Sequence, residues 1–113
     1  MVIVNREFTY RRQIKVSRSD FAAAEEGTKT CTIRLGVVHV DEATINLTDG
    51  ANSLRVKIAS VSTERFRDLS EGHARCEGFR TVEELWADLR TYYPQIDVDQ
   101  PVTIIRFERF IDR

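Results

Sequence analysis

The octad Gly27 to Arg34, GTKTCTIR, sets an amine, a hydroxyl and a guanidinium close together at Lys29, Thr32 and Arg34. These types support polar catalysis when a pocket gathers them. A threonine hydroxyl is a weak nucleophile until a base takes its proton, and a lysine serves as base when burial and nearby positive charge bring its pKa from ~10.4 toward ~7–8. A guanidinium binds a carbonyl or a negative oxygen. In a regular strand Thr30, Thr32 and Arg34 share one face while Cys31 and Ile33 share the other and pack in a core. Lys29 therefore joins Thr32 only if the chain turns or bulges at Lys29, and Gly27 supplies the freedom for that bend. On spacing alone Lys-x-x-Thr is a weak pattern, more often a solvated strand end followed by an ordinary β residue.

Other chemistries leave fewer traces. His39 and His73, the only histidines, have no ligand spacing with each other or with Cys31 and Cys76, so neither a zinc site nor a cofactor is expected. The two cysteines are far apart and form no CxxC pair, which points to a reducing compartment. The opening MVIVNREFTYRR has no apolar run of signal-peptide length, and no stretch of ~18 apolar residues occurs anywhere. A cytoplasmic protein without membrane partners is expected.

The 113 residues fall within the common domain size of ~100–150, so residues 1–113 are read as one domain. A hydrophobic fraction of 42% with 31% charged residues is that of an ordinary globular chain. Seventeen basic against eighteen acidic residues give no global field for a polyanion. Locally, residues 1–18 carry Arg6, Arg11, Arg12, Lys15 and Arg18 against Glu7 alone. That strip reads either as phosphate-facing or as an exposed strand with basic outward positions.

These residues need elements to position them. Residues 3–16 read as one long or broken strand with Phe8, Tyr10, Ile14 and Val16 on one parity. Ser19 can cap a helix from Asp20 to Glu26 that Gly27 ends, and a strand follows from Thr30 to Val38. TINLT and SLRVKIAS flank Asp49-Gly50 as a hairpin. STERFRDL and SEGHARCEG read as short polar helices, kept short by Gly72 and Gly78. The clearest helix is Val82 to Tyr93, with Thr81 and Glu84 as a capping box, Pro94 past its end, and Val82, Leu85, Trp86 and Leu89 at helical spacing. Trp86 reads as core rather than a base-stacking platform. VTIIRFERF closes the chain as a strand after Pro101. Together these predict an α+β fold, a small mixed or antiparallel sheet or barrel with inserted helices.

GTKTCTIR resembles the G-x-K-x-x-T-x-R signature of the ASCH domain, a family of PUA-like β-barrels, with Gly27, Lys29, Thr32 and Arg34 at its fixed positions. The likeness extends to the preceding short helix, the following hairpin, and LSEGHARCEGFRTVEELWADLRTYYP before the last strand. It is most similar to the small bacterial members that hydrolyse N4-acetylcytidine. VVHVDEATINL departs from the pattern, with Asp41-Glu42 where a glycine turn is common.

The resemblance implies a catalytic Lys29, Thr32 and Glu77, with Arg34 binding substrate. Glu77 aligns best within HARCEGF, while Glu71 sits too early and Glu83 lies at a helix start. Thr32 would be the nucleophile, Lys29 its base and Glu77 a proton donor or an orienter of Lys29, acting on an N4-acylated cytosine nucleoside without a metal. The alternative is an RNA-binding or single-strand-cleaving PUA-like module, with Arg11, Arg12, Lys15, Arg34 and Arg55 on phosphates and Tyr10 or Tyr92 stacking bases.

Overall fold

The computed structural model describes residues 7–110, in which local patterning builds seven strands and three helices. In chain order they are β1 (Glu7–Tyr10), β2 (Gln13–Lys15), α1 (Arg18–Glu26), β3 (Cys31–Leu35), β4 (Val37–Val40), β5 (Thr44–Thr48), β6 (Ser53–Arg65), α2 (Glu71–Glu77), α3 (Val82–Tyr92) and β7 (Pro101–Arg109). A 3-10 turn, Phe66–Asp68, follows β6.

The alternation along β7 organises the packing. Val102 and Ile104 project to one side, Ile105 and Phe107 to the other, and all four are buried, so both faces of the sheet are covered. The five-stranded sheet runs β2-β5-β6-β7-β3, with β3 antiparallel to β7 along one edge. On one face Ile33, Val102 and Ile104 pack with Phe66, Leu85 and Leu89 under α2 and α3. On the other, Ile105 and Phe107 pack with Ile14, Leu47, Val56 and the α1 residues Phe21 and Ala24.

Helix ends are set by local chemistry. Ser17 Oγ accepts the Asp20 amide (3.1 Å) and caps α1, two residues before the expected Ser19. Thr81 accepts the Glu84 amide (3.2 Å) and caps α3 as expected. Asp49 Oδ1 accepts the amides of Ala51 and Asn52, closing the predicted β5–β6 hairpin. Trp86 packs against the core and donates its indole N–H to the Phe66 carbonyl (3.0 Å), so it serves the interior.

Two expectations change, and an open one is decided. STER continues the sheet: β6 runs for thirteen residues and pairs with β7 through a register shift between Ile58 and Ser60. Its length comes from long-range pairing, which a local polar pattern does not reveal. The strand expected over Thr30 to Val38 is two strands, because Gly36 breaks it and β4 turns away to pair in parallel with β1. The first strand is the broken alternative, split at Arg11-Arg12, and its expected start at Ile3 lies outside the described residues.

The fold is mixed α+β, but the described strands do not close into a barrel. β1 and β4 form a separate two-stranded sheet. Thr103 bridges that gap: its buried hydroxyl accepts the Val38 amide (2.9 Å) and donates to the Gly36 carbonyl (2.7 Å), so a side chain substitutes for a strand ladder.

Leu85 is fully enclosed between α3 and the sheet. Leu85→Ala is expected to cost ~2–5 kcal/mol in urea unfolding with an unchanged m-value, whereas Ala87→Ser on the exposed side of α3 should shift the midpoint little.

Candidate active site

The chain reverses sharply after α1. Gly27 has φ of 91°, a left-handed conformation that glycine adopts without strain, and the amides of Gly27, Thr28 and Lys29 all turn back to the Ala23 carbonyl. This is the bend that the octad requires. It carries Lys29 into the interior, where only 2% of the residue is exposed, immediately before β3 begins at Cys31.

α2 ends against the free edge of β3. Gly78, with φ of 95°, terminates the helix, so Glu77 is its last residue. The Thr30 amide donates to the Cys76 carbonyl (2.7 Å), and the Ile33 amide, on the side of β3 away from β7, donates to Glu77 Oε1 (2.8 Å). Glu77 thus supplies the partner that an edge amide needs. Its other oxygen, Oε2, takes the hydrogen bond of the Lys29 ammonium, forming a buried ion pair. The Glu77 side chain is 7% exposed.

Burial pushes the Glu77 carboxyl above the ordinary carboxylate range, opposed by the charge and hydrogen bond of Lys29 and by the Ile33 amide.

Thr32 shares its side of the sheet with Ile105, and its hydroxyl accepts from Arg34 Nε (3.1 Å). Arg34 is held in place: Nη2 donates to the Lys15 carbonyl (2.8 Å), and the guanidinium lies over the Tyr10 ring at 5.9 Å. A cation fixed against a hydroxyl favours the alkoxide form of that hydroxyl.

Lys29, Thr32, Glu77 and Arg34 all line one cavity of about 320 Å³. Lys29, Thr32 and Arg34 of the octad therefore come together with Glu77. Glu71 and Glu83, the competing carboxylates, are exposed and line no part of it, and neither does the departure at Asp41-Glu42. Asp41 instead pairs with Arg11 on the surface (3.2 Å).

The residues proposed for an RNA cleft are dispersed in their contacts. Arg34 is committed to Thr32 and Lys15, Arg11 to Asp41, and Arg55 to Thr44 (2.6 Å). Lys15 and Tyr92 line the cavity.

Sequence reasoning missed Asp20, Asp88 and Tyr93 in the cavity wall. They come from the first turn of α1 and the end of α3, and carry no motif that could have flagged them. Asp88 is raised by burial and by the neighbouring Asp20 charge, with Lys29 opposing, and the Tyr92 phenol is raised by burial and by Asp20 and Asp88. Among the described residues no group of three or more His, Cys, Asp or Glu side chains is placed to hold a metal.

Cys31 and Cys76, expected to signal a reducing compartment, form a disulfide. Local spacing gives no hint of it, because the cysteines meet only through the docking of α2 on β3. A loop of this size contributes about 4 kcal/mol by loop-closure entropy. The disulfide removes cysteine usage as an argument for the cytoplasm. Among the described residues no helix is long and apolar enough to cross a membrane.

By sequence the chain matches no protein-family model and no curated protein. By structure it is similar to an ASCH domain from Lactobacillus crispatus, with a TM-score of 0.67 and 15% identity over 93% of this chain and 80% of that one. It is also similar to an Enterococcus faecalis protein of the DUF984 family, with a TM-score of 0.64 and 19% identity over 83% and 68% of the two chains. A point mutant of the Zymomonas mobilis ASCH protein aligns with a TM-score of 0.51 and 13% identity over 87% and 67%. The chain shares the fold of these ASCH-domain structures.

The ion pair yields a pH test of the geometry. In Lys29→Met the charge that lowers Glu77 is gone, so its folded-state pKa rises further above the ordinary glutamate value of 4.5. Between those two pKa values the native state then binds more protons than the unfolded state, so stability falls as pH rises. Urea unfolding of Lys29→Met should show full stability below about pH 4.5 and a progressive loss above it, a slope that Lys29→Met/Glu77→Gln removes.

Proposed function

We propose that this chain is an ASCH-family amidohydrolase that removes the acyl group from N4-acetylcytidine or a related N4-acylated cytosine nucleoside. The reading rests on one observation: Lys29, Thr32, Glu77 and Arg34, the residues matching the ASCH signature and its partner glutamate, line a single cavity. At about 320 Å³ it lies at the small end of the ~300–1,000 Å³ of small-molecule sites, the scale of a nucleoside. Three cations (Lys15, Lys29, Arg34) and three anions (Asp20, Glu77, Asp88) line it, a balance that suits an uncharged ligand better than a polyanion.

The chemistry follows from the proton shared by Lys29 and Glu77. As an ion pair, Lys29 has no lone pair to accept a proton. Passing one proton from Nζ to Glu77 Oε2 leaves a neutral amine beside a neutral acid, a transfer that burial assists because it disfavours both charges. Lys29 then takes the Thr32 proton as Oγ attacks the acyl carbonyl. The tetrahedral oxyanion is stabilised by Arg34, already fixed within hydrogen-bond reach of Oγ. Glu77 gives its proton to the exocyclic nitrogen, and the cytosine amine leaves. Water, deprotonated by Glu77, attacks the acyl-Thr32 ester; the proton held on Lys29 returns to the departing Oγ, and acetic acid leaves and ionises to acetate in solution, with Lys29 and Glu77 restored to the neutral pair.

A continuous assay following the absorbance change as N4-acetylcytidine becomes cytidine tests this. Thr32→Ala and Lys29→Ala should each lower kcat by at least about a thousandfold, and the double variant should be little worse than the worse single change. Arg34→Ala should lose less, about ten- to a hundredfold, and a chelator should change nothing. The active pair carries one proton, so activity should rise with pH through the Glu77 pKa, at a pH above the ordinary carboxylate range. Absence of turnover of any N4-acylated cytidine by the folded protein, together with single-stranded RNA binding that weakens steeply with salt, would replace the enzyme reading with the RNA module.

A further inference from the structure

The disulfide lies where it bears directly on the chemistry. Cys31 immediately precedes Thr32, Cys76 immediately precedes Glu77, and the two are bonded. The nucleophile and the proton donor are therefore each one residue from the same covalent link.

What the link restrains is otherwise weakly held. α2 has seven residues, too short to persist without tertiary support, and Glu77 is its last residue, where helices fray. Only the Thr30–Cys76 backbone bond, the Ile33–Glu77 bond and the Lys29–Glu77 pair tie that end to the octad by polar contacts. A buried ion pair also works against its own stability, because both charges forgo water. Loss of the link would leave Glu77 held by those bonds and by the packing of Ala74, against the desolvation cost of the pair.

We propose that Cys31 and Cys76 are positioning residues, whose disulfide holds Glu77 against Lys29 in the geometry for turnover, and that a dithiol reductant switches the site to a low-activity form. In the exchange a thiolate of the dithiol attacks one sulfur to give a mixed disulfide. Its second thiolate then closes a cyclic disulfide on the reductant, and Cys31 and Cys76 leave as thiols with two electrons and two protons gained. Activity returns on reoxidation. The proposal rests on the amidohydrolase reading for its kinetic consequence, but the position of Glu77 has readouts of its own.

The test compares oxidised and dithiothreitol-treated protein, each with its thiols counted and its fold verified by circular dichroism. Reduction is expected to lower kcat on N4-acetylcytidine by about ten- to a hundredfold while KM moves little, and to shift the acid limb of the pH profile. In amide NMR the Ile33 N–H signal should move as its Glu77 bond weakens, and reoxidation should restore both. A merely structural staple would lower Tm and leave kcat, the pH profile and the Ile33 signal of the folded protein unchanged, which would overturn the proposal. Two free thiols in air-oxidised protein would also overturn it. If reduction unfolds the chain, Cys31→Val/Cys76→Ala, which keeps the core apolar without the bond, decides on the same readouts. If neither redox state hydrolyses the substrate, the amidohydrolase reading fails separately, and the Ile33 signal with the Glu77 carboxyl titration by carbon NMR still decides whether the disulfide positions Glu77.

Discussion

A lysine and a glutamate buried together, far apart in sequence and both nearly closed to solvent, constrain everything around them. Neither is tolerable alone in that position: an unpaired charge there costs several kcal/mol, and even the pair is at best near break-even against an apolar alternative. The chain therefore invests structure in holding the two together. Gly27 turns Lys29 inward, the Ile33 amide satisfies the second oxygen of Glu77, and the disulfide joins the segments that carry them. A stability-driven design would put hydrophobic residues here. A buried pair of titratable groups lining a cavity beside a polarised hydroxyl is the arrangement on which the proposed chemistry rests.

The arrangement also depends on β3 being an edge strand. One side of β3 pairs with β7 and the other meets only the end of α2. An interior strand would have spent the Ile33 amide on a ladder and left no room for a carboxylate. The division of faces matters as well: Cys31 and Ile33 enter the core under α2 and α3, while Thr32 and Arg34 look the other way, toward β2 and the start of α1. The period-2 alternation of the octad thus separates residues that stabilise the domain from residues available to a ligand.

Much of this was legible in the sequence because it is local. Gly27 as a helix stop, the need for a bend at Lys29, the alternation from Thr30 to Arg34, the Asp49-Gly50 hairpin and the capped α3 each follow from residues within a few positions of one another. Glu77 was reachable only through resemblance to a family, since nothing near it in sequence marks it out. What stayed hidden is long-range: β6 extends through Arg65 because β7 pairs with it, Gly36 diverts β4 to β1, and the cysteines meet because α2 docks on β3. Asp20 and Asp88 reach the cavity for the same reason, from helix positions that look like ordinary solvated carboxylates.

In the proposed reaction Glu77 would unite a structural duty with a chemical one, which affects how its variants are read. Its Oε1 completes the β3 edge and its Oε2 neutralises Lys29, so any change to it disturbs a backbone partner and a buried charge before it disturbs turnover. Glutamine keeps an acceptor for the Ile33 amide and loses the negative charge, whereas alanine loses both. The difference in activity between those two substitutions, each corrected for its own fraction folded, isolates what the carboxylate does as an acid from what it does as a strut. Thr32 has no comparable double role, since its hydroxyl receives the Arg34 guanidinium and closes no backbone gap, so its variants give the cleaner test of the proposed nucleophile.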